Sequence, residues 1–154
     1  MKPVLDTCCG GRMFYFDKQD PRVEFCDIRT GVNAIFPSSS PVVVNPDTVC
    51  DVTDLPFEDD LFPLVVFDPP HLRWASGKFA ATYGTLPDDW QEFMTKAFSE
   101  CWRVLAPNGT LVFKWSEKDV SLRDVLKCAP VKPLLGNRRP GKSGTHFLVF
   151  FKGV

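Results

Sequence analysis

The sequence has no apolar run approaching the roughly 20 residues a bilayer-spanning helix needs. Met1-Lys2-Pro3 leads straight into a strand pattern where a signal peptide would place its apolar h-region, so a cytoplasmic location is expected. Metal-ligand spacing is missing as well: the 6 cysteines, at positions 8, 9, 26, 50, 101 and 128, form no C-x-x-C pair and have no histidine nearby at zinc-ligand spacing. No metal is therefore expected. Cys26, Cys50 and Cys101 sit inside apolar patterns, where a free thiol in a reducing compartment acts as a small hydrophobe. Excess charge of one sign is also lacking, with 18 Lys and Arg against 19 Asp and Glu. A net charge of −1 gives no global attraction to nucleic acid, so any such partner must be held by a local basic patch. No internal repeat is visible.

At 154 residues the chain is expected to form one domain over 1–154, with no separate target-recognition domain. Val4-Leu5-Asp6-Thr7-Cys8, closed by Gly10-Gly11, predicts a buried strand and a tight turn. Arg12 to Lys18, rich in aromatics, predicts a short helix. Arg22 to Arg29 predicts a second strand ending near an acid, and Pro37 to Pro46 a loop with a short edge strand. Thr48 to Val52 and Leu64 to Asp68 predict the next strands, the latter continuous and β-branched as in a sheet covered on both faces. A looser aromatic stretch follows, in which Trp74, Lys78, Phe79 and Tyr83 are expected either to form a lid or stacking surface or to pack on the next helix. That helix is expected from Asp88 or Asp89 to about Leu105, with apolar residues at helical spacing. Thr110 to Trp115 predicts a fifth strand, Ser121 to Cys128 a brief helix, and Val131 to Leu135 and Thr145 to Lys152 the last strands. Strands alternating with helices imply an α/β fold: a Rossmann-like three-layer sandwich around a mostly parallel seven-stranded sheet, its last strand antiparallel.

In open α/β sheets, ligands bind outside the carboxyl ends of the strands, near the point where strand order reverses. The residues at those ends are Asp6, Cys8, Cys9, Gly10 and Gly11 after the first strand, and Asp27 and Ile28 after the second. Asp51 and Val52 follow the third, and Asp68-Pro69-Pro70-His71 the fourth. Glycines let backbone approach a ligand closely, and an acid closing the second strand can accept hydrogen bonds from ribose hydroxyls. Each feature alone has a plainer reading: a turn, a solvated strand cap, or a proline-terminated strand.

Together these residues resemble the class I S-adenosylmethionine-dependent methyltransferases over nearly the whole chain. Val4 to Gly11 is similar to the family's first motif in its D-x-x-C-G variant, and Asp27 matches the ribose-binding acid. Asp51, with Leu55-Pro56-Phe57-Glu58-Asp59 after it, matches the stretch that holds adenine. Asp68-Pro69-Pro70-His71 matches the [DNS]-P-P-[YFW] motif, and Cys101 to Thr110 resembles the R-V-L-K-P-G-G segment. Arg12 stands where the family has its third glycine, and His71 where it has an aromatic. The resemblance implies an enzyme using S-adenosyl-L-methionine, held by Asp6, Cys8, Cys9, Gly10, Gly11, Asp27, Ile28, Asp51, Val52 and Asp68, with Asp68, Pro69, Pro70 and His71 as catalytic residues.

The D-P-P motif in that family goes mainly with amino acceptors. An exocyclic amine is a poor nucleophile because its lone pair is delocalised. A carboxylate and a main-chain carbonyl that hold both N–H groups favour a pyramidal nitrogen, and the prolines stiffen the turn that presents them. The side chain after the prolines stacks on the flipped or unpaired base. Transfer to an exocyclic amine of a nucleic-acid base is expected, adenine N6 first, in RNA or DNA. Arg138, Arg139 and Lys142, with Arg73 and Lys114, are expected near the catalytic mouth as phosphate contacts. Specificity would then come from a homodimer, a protein partner or the shape of the substrate. The alternatives are methylation of a protein glutamine amide, which needs no basic loop, and a non-catalytic scaffold that kept the fold.

Overall fold

Short runs of apolar and β-branched residues build the sheet in the computed structural model, which describes residues 1–34, 41–137 and 144–154. In chain order the strands are β1 (Val4–Asp6), β2 (Val23–Asp27), β3 (Gly31–Ala34), β4 (Val42–Val44), β5 (Thr48–Val49) and β6 (Phe62–Phe67). Two helices follow, α1 (Gly77–Tyr83) and α2 (Trp90–Val104), and then β7 (Leu105–Ser116). A helical turn α3 (Leu122–Val125), capped by the Ser121 side chain and continued as a 3-10 turn to Cys128, leads to β8 (Leu135–Gly136) and β9 (Thr145–Phe151).

Seven strands form one sheet in the order β5-β2-β1-β6-β7-β9-β8. The first five pairings of that order are parallel apart from β7 with β9, and β8 is antiparallel to β9, so β9 alone runs against the rest. This is the expected fold class. Chain order reverses at β1, which pairs with β2 on one side and β6 on the other, so the crevice for a ligand opens beyond Asp6. β3 and β4 form a separate two-stranded ribbon, and Val42-Val43-Val44 is the short strand expected there.

One sheet face is sealed by α2, whose Trp90, Met94, Ala97, Phe98, Cys101 and Val104 are buried. Phe98 lies edge-on to Phe67 at 5.1 Å and tilted on Phe113 at 4.8 Å between ring centroids, a geometry that suits aromatic quadrupoles. Alternate residues of β2 face the other way, where Val23 and Phe25 join Cys9, Val4 and Tyr15 in a smaller cluster.

Three local expectations need correction. Arg12 to Lys18 forms turns and no helix, because Arg12 sits at φ 54°, outside the right-handed region, and the Asp17 side chain folds the chain back by accepting from the Gln19 amide at 2.8 Å. The looser stretch after the fourth strand contains α1. The strand expected at Val131 to Leu135 begins only at Leu135, since Pro133 has no N–H for a ladder.

Candidate active site

The turn after β1 is held from both neighbouring strands. Thr7 donates its amide and hydroxyl to the Val66 carbonyl at 3.0 and 3.1 Å, and the Cys9 amide donates to Cys26 at 2.8 Å. Gly10, at φ 49°, takes a conformation that costs a side chain strain, and its amide donates to Asp27 Oδ2 at 2.9 Å. Arg12 holds a left-handed backbone at φ 54° while its side chain leaves the turn. The guanidinium lies 3.7 Å from the Phe25 ring centre and donates to the Lys18 and Asn45 carbonyls at 2.5 and 2.7 Å.

Asp6 is fully buried at the end of β1. Its Oδ1 accepts from the Cys8 amide at 3.1 Å, and its Oδ2 has no hydrogen-bond partner among the described residues. Burial pushes this carboxyl up to about 7, against the pull of the Tyr15 hydroxyl and the Cys8 amide. Burial also raises the Cys8 thiol, and it pushes Cys9 up to about 12, which leaves both sulfurs protonated and poorly nucleophilic at neutral pH.

Asp27, also buried, is engaged by a residue that sequence reasoning missed. Arg29 donates to it from its amide at 2.9 Å, from Nε at 3.1 Å and from Nη2 at 3.3 Å. The Nη1 of the same guanidinium donates to the Ala81 and Thr82 carbonyls at 3.2 and 3.0 Å, tying the end of α1 to the end of β2. Asp51 is exposed and caps its own turn, accepting from the Thr53 amide and hydroxyl at 2.9 and 2.7 Å. Its neighbours in the crevice are Ile28, exposed, and Val52, buried.

Asp68 stops β6, and its Oδ2 accepts from Lys114 Nζ of β7 at 3.0 Å. Burial raises the Asp68 carboxyl while the Lys114 ammonium lowers it. Behind the Pro69-Pro70 turn comes Gly84 at φ 72°, where a Cβ would meet Pro70 Cγ at 3.2 Å, so α1 ends pressed on this turn. His71 is half-buried, edge-on to Trp115 at 6.3 Å and tilted to Tyr83 at 6.4 Å. Burial, with Lys114 nearby, lowers its pKa, so the ring is neutral at physiological pH.

Three adjoining cavities of about 110, 100 and 260 Å³ share Asp68 and Tyr83. The first reaches Cys8, Cys9, Gly10 and Gly11; the second reaches Asp27, Asp51 and Phe93; the third opens between Lys114, Lys118 and Phe79. Apart from the fully buried Asp6, which lines none of the three, the strand-end residues singled out by sequence are thus brought to one cleft. Lys114 stands there as the ion-pair partner of Asp68. Arg73 lines none of the three cavities and lies over the Trp74 ring at 4.8 Å. Arg138, Arg139 and Lys142 lie outside the described residues. Their flanking Thr145 lines the third cavity beside Asp68. Sequence reasoning missed Arg29, whose only signal was an arginine two positions after the strand-end acid; Tyr83, named there with Trp74, Lys78 and Phe79, lines all three cavities.

No protein-family model and no curated protein matches the chain. Solved structures share its fold at low identity. A Pyrococcus horikoshii OT3 protein is 17% identical with a TM-score of 0.60, over 98% of this chain and 81% of that one. The 1,6-didemethyltoxoflavin-N1-methyltransferase of Burkholderia thailandensis, with bound 1,6-didemethyltoxoflavin and S-adenosylhomocysteine, is 17% identical with a TM-score of 0.58, over 98% and 71%. The N-methyltransferase NodS of Bradyrhizobium japonicum WM9 is 16% identical with a TM-score of 0.54, over 98% and 85%.

Proposed function

We propose that the chain is an S-adenosylmethionine-dependent methyltransferase that methylates an exocyclic amino group of a nucleic-acid base, adenine N6 first. The observation that carries this reading is the Asp68 carboxylate, set beside two prolines where the three cavities meet. The residues at the cleft fit the cofactor. The Gly10-Gly11 turn offers close backbone approach and Asp27 suits ribose hydroxyls, while Asp6, buried at the end of β1 behind the cavity linings, keeps one oxygen without a hydrogen-bond partner among the described residues. Val52, Phe93 and Asp51 suit the adenine ring. Bound there, S-adenosylmethionine supplies an electrophilic methyl group. Two N-methyltransferases share the fold, one of them with bound S-adenosylhomocysteine, which supports this choice of cofactor.

On the acceptor side, Asp68 Oδ1 takes one N–H and a main-chain carbonyl of the Pro69-Pro70 turn the other, leaving the nitrogen lone pair free to attack. Lys114 donates to Oδ2 and opposes the protonation that burial favours. The proton shed by the methylated nitrogen passes to Asp68, whose raised proton affinity suits that task. The neutral His71 closes the pocket against Trp115.

One observation favours a second reading, a non-catalytic scaffold: Arg29 already engages both Asp27 oxygens that ribose would use. Transfer of labelled methyl from S-adenosylmethionine to total RNA, unmethylated DNA and cell protein, followed by mass spectrometry, separates the two. Label in N6-methyladenine is the expected result. Label in protein alone points to an amide acceptor, and no label in any of the three sinks the catalytic reading.

A further inference from the structure

A protein that folds alone rarely leaves a run of aromatic rings in water at the mouth of its cleft. Trp74, Phe79 and Tyr83 are 72%, 55% and 47% exposed. Tyr83 lines the cavity floored by Asp68, and Phe79 stacks on it at 6.3 Å and 29°, extending the aromatic surface outward along α1. Cations accompany these rings: Lys118 Nζ lies 5.8 Å from the Phe79 centre, and the Arg73 guanidinium lies over Trp74 at 4.8 Å. Lys114 and Lys118 line the same cavity as both α1 rings. Rings for stacking and cations for phosphates, side by side, match the chemistry of an unpaired strand. A duplex offers its phosphates but keeps its base faces covered.

We infer that α1 and the segment before it form a stacking platform for single-stranded nucleic acid, with the target base between Tyr83 and the Asp68 pocket and its neighbour on Phe79. This rests on the reading of the site as a base methyltransferase and narrows its substrate to unpaired strands. His71 shares two of the cleft's cavities with Tyr83 and lies edge-on to Trp115, so Tyr83 is the ring that continues the surface outward to Phe79. The Arg29 bonds to Ala81 and Thr82 and the seat of Gly84 on Pro70 fix Tyr83 at that position. α1 is thereby a structural part of the acceptor site.

The test is fluorescence anisotropy of labelled adenine-containing oligonucleotides, single-stranded and as the matching duplex, over a range of salt concentrations, with methyl transfer measured on the same strands. The single strand is expected to bind tighter. Phe79→Ala and Tyr83→Ala are each expected to weaken it roughly five- to a hundredfold with the salt slope unchanged, because stacking releases no counterions. Lys118→Ala is expected to shallow the slope by about one charge. Thermal unfolding checks that the variants fold, and Tyr83→Phe, which keeps the ring, is expected to bind like the parent. Duplex binding as tight as the single strand, or unchanged affinity in both aromatic variants, overturns the platform. Tight single-strand binding without methyl transfer supports the platform and overturns the activity, whereas transfer with no strand preference does the reverse.

Discussion

Arg29 closes on Asp27 from the side that faces the cleft, with Nε 3.1 Å from Oδ1 and Nη2 3.3 Å from Oδ2, and holds the carbonyls of Ala81 and Thr82 with its remaining nitrogen. A ribose that binds Asp27 must share the carboxylate with this guanidinium or displace it. On the proposed reading, cofactor binding and the position of α1 are linked through one side chain. Asp27→Ala is expected to weaken S-adenosylmethionine by about 1–3 kcal/mol in calorimetry, the range for losing a buried hydrogen-bond partner. Unchanged affinity would remove Asp27 from the site. Arg29→Ala is expected to speed hydrogen exchange in α1 while sparing β2, and equal protection of α1 in both proteins would break the link.

Lys114 sets the charge of Asp68. Burial favours the protonated acid and the ammonium at 3.0 Å opposes it, so removing the ammonium lets the carboxyl rise further. The neutral His71 supplies no second positive charge in its place. The acid limb of the transfer rate follows ionisation of Asp68 and falls as pH drops through its pKa. Lys114→Gln is expected to move that limb to higher pH, and Lys114→Arg to restore it. A pH–rate profile with the limb in place for Lys114→Gln contradicts this role.

The parts of the fold that could be read in the sequence are those whose pattern follows from burial. Leu64 to Phe67 reads as a strand because both faces of β6 are covered, and the α2 stripe reads as a helix because only one side of it meets the sheet. Asp6, Asp27, Asp51 and Asp68 converge because parallel strands place their ends on one edge. The turns at Arg12 to Lys18 escaped, since the positive φ of Arg12 is stabilised by carbonyls as distant as Asn45. Arg29 escaped for a similar reason: its role arises from contacts with Asp27 and with the carbonyls of α1, which no local spacing reveals.

Asp6 makes the unliganded protein sensitive to pH. Its ordinary value of 3.8 is raised to about 7 by burial, so between those values the folded chain keeps a proton that the unfolded chain has released. The stability this group contributes is full below the lower value and is lost as pH rises through the upper one, with a slope of up to about 1.4 kcal/mol per pH unit. Asp6→Asn removes this dependence. Urea unfolding at about pH 5 and about pH 7 is expected to show the parent losing more stability than the variant across that interval; equal losses would mean that Asp6 is ionised throughout.

Arg12 combines a backbone that suits glycine with a side chain that glycine lacks, so two substitutions separate its contributions. Arg12→Ala removes the bonds to Lys18 and Asn45 and the contact over Phe25, and it keeps the strained φ of 54°. Loss of charged hydrogen bonds of this kind is expected to cost about 1.5–3 kcal/mol in denaturant unfolding. Arg12→Gly loses the same contacts but relieves the left-handed strain, which is worth about 1 kcal/mol, so it should be the less destabilised of the two. If instead the glycine variant is the weaker protein, the backbone at Arg12 carries no strain, and entropy of the unfolded chain dominates at this turn.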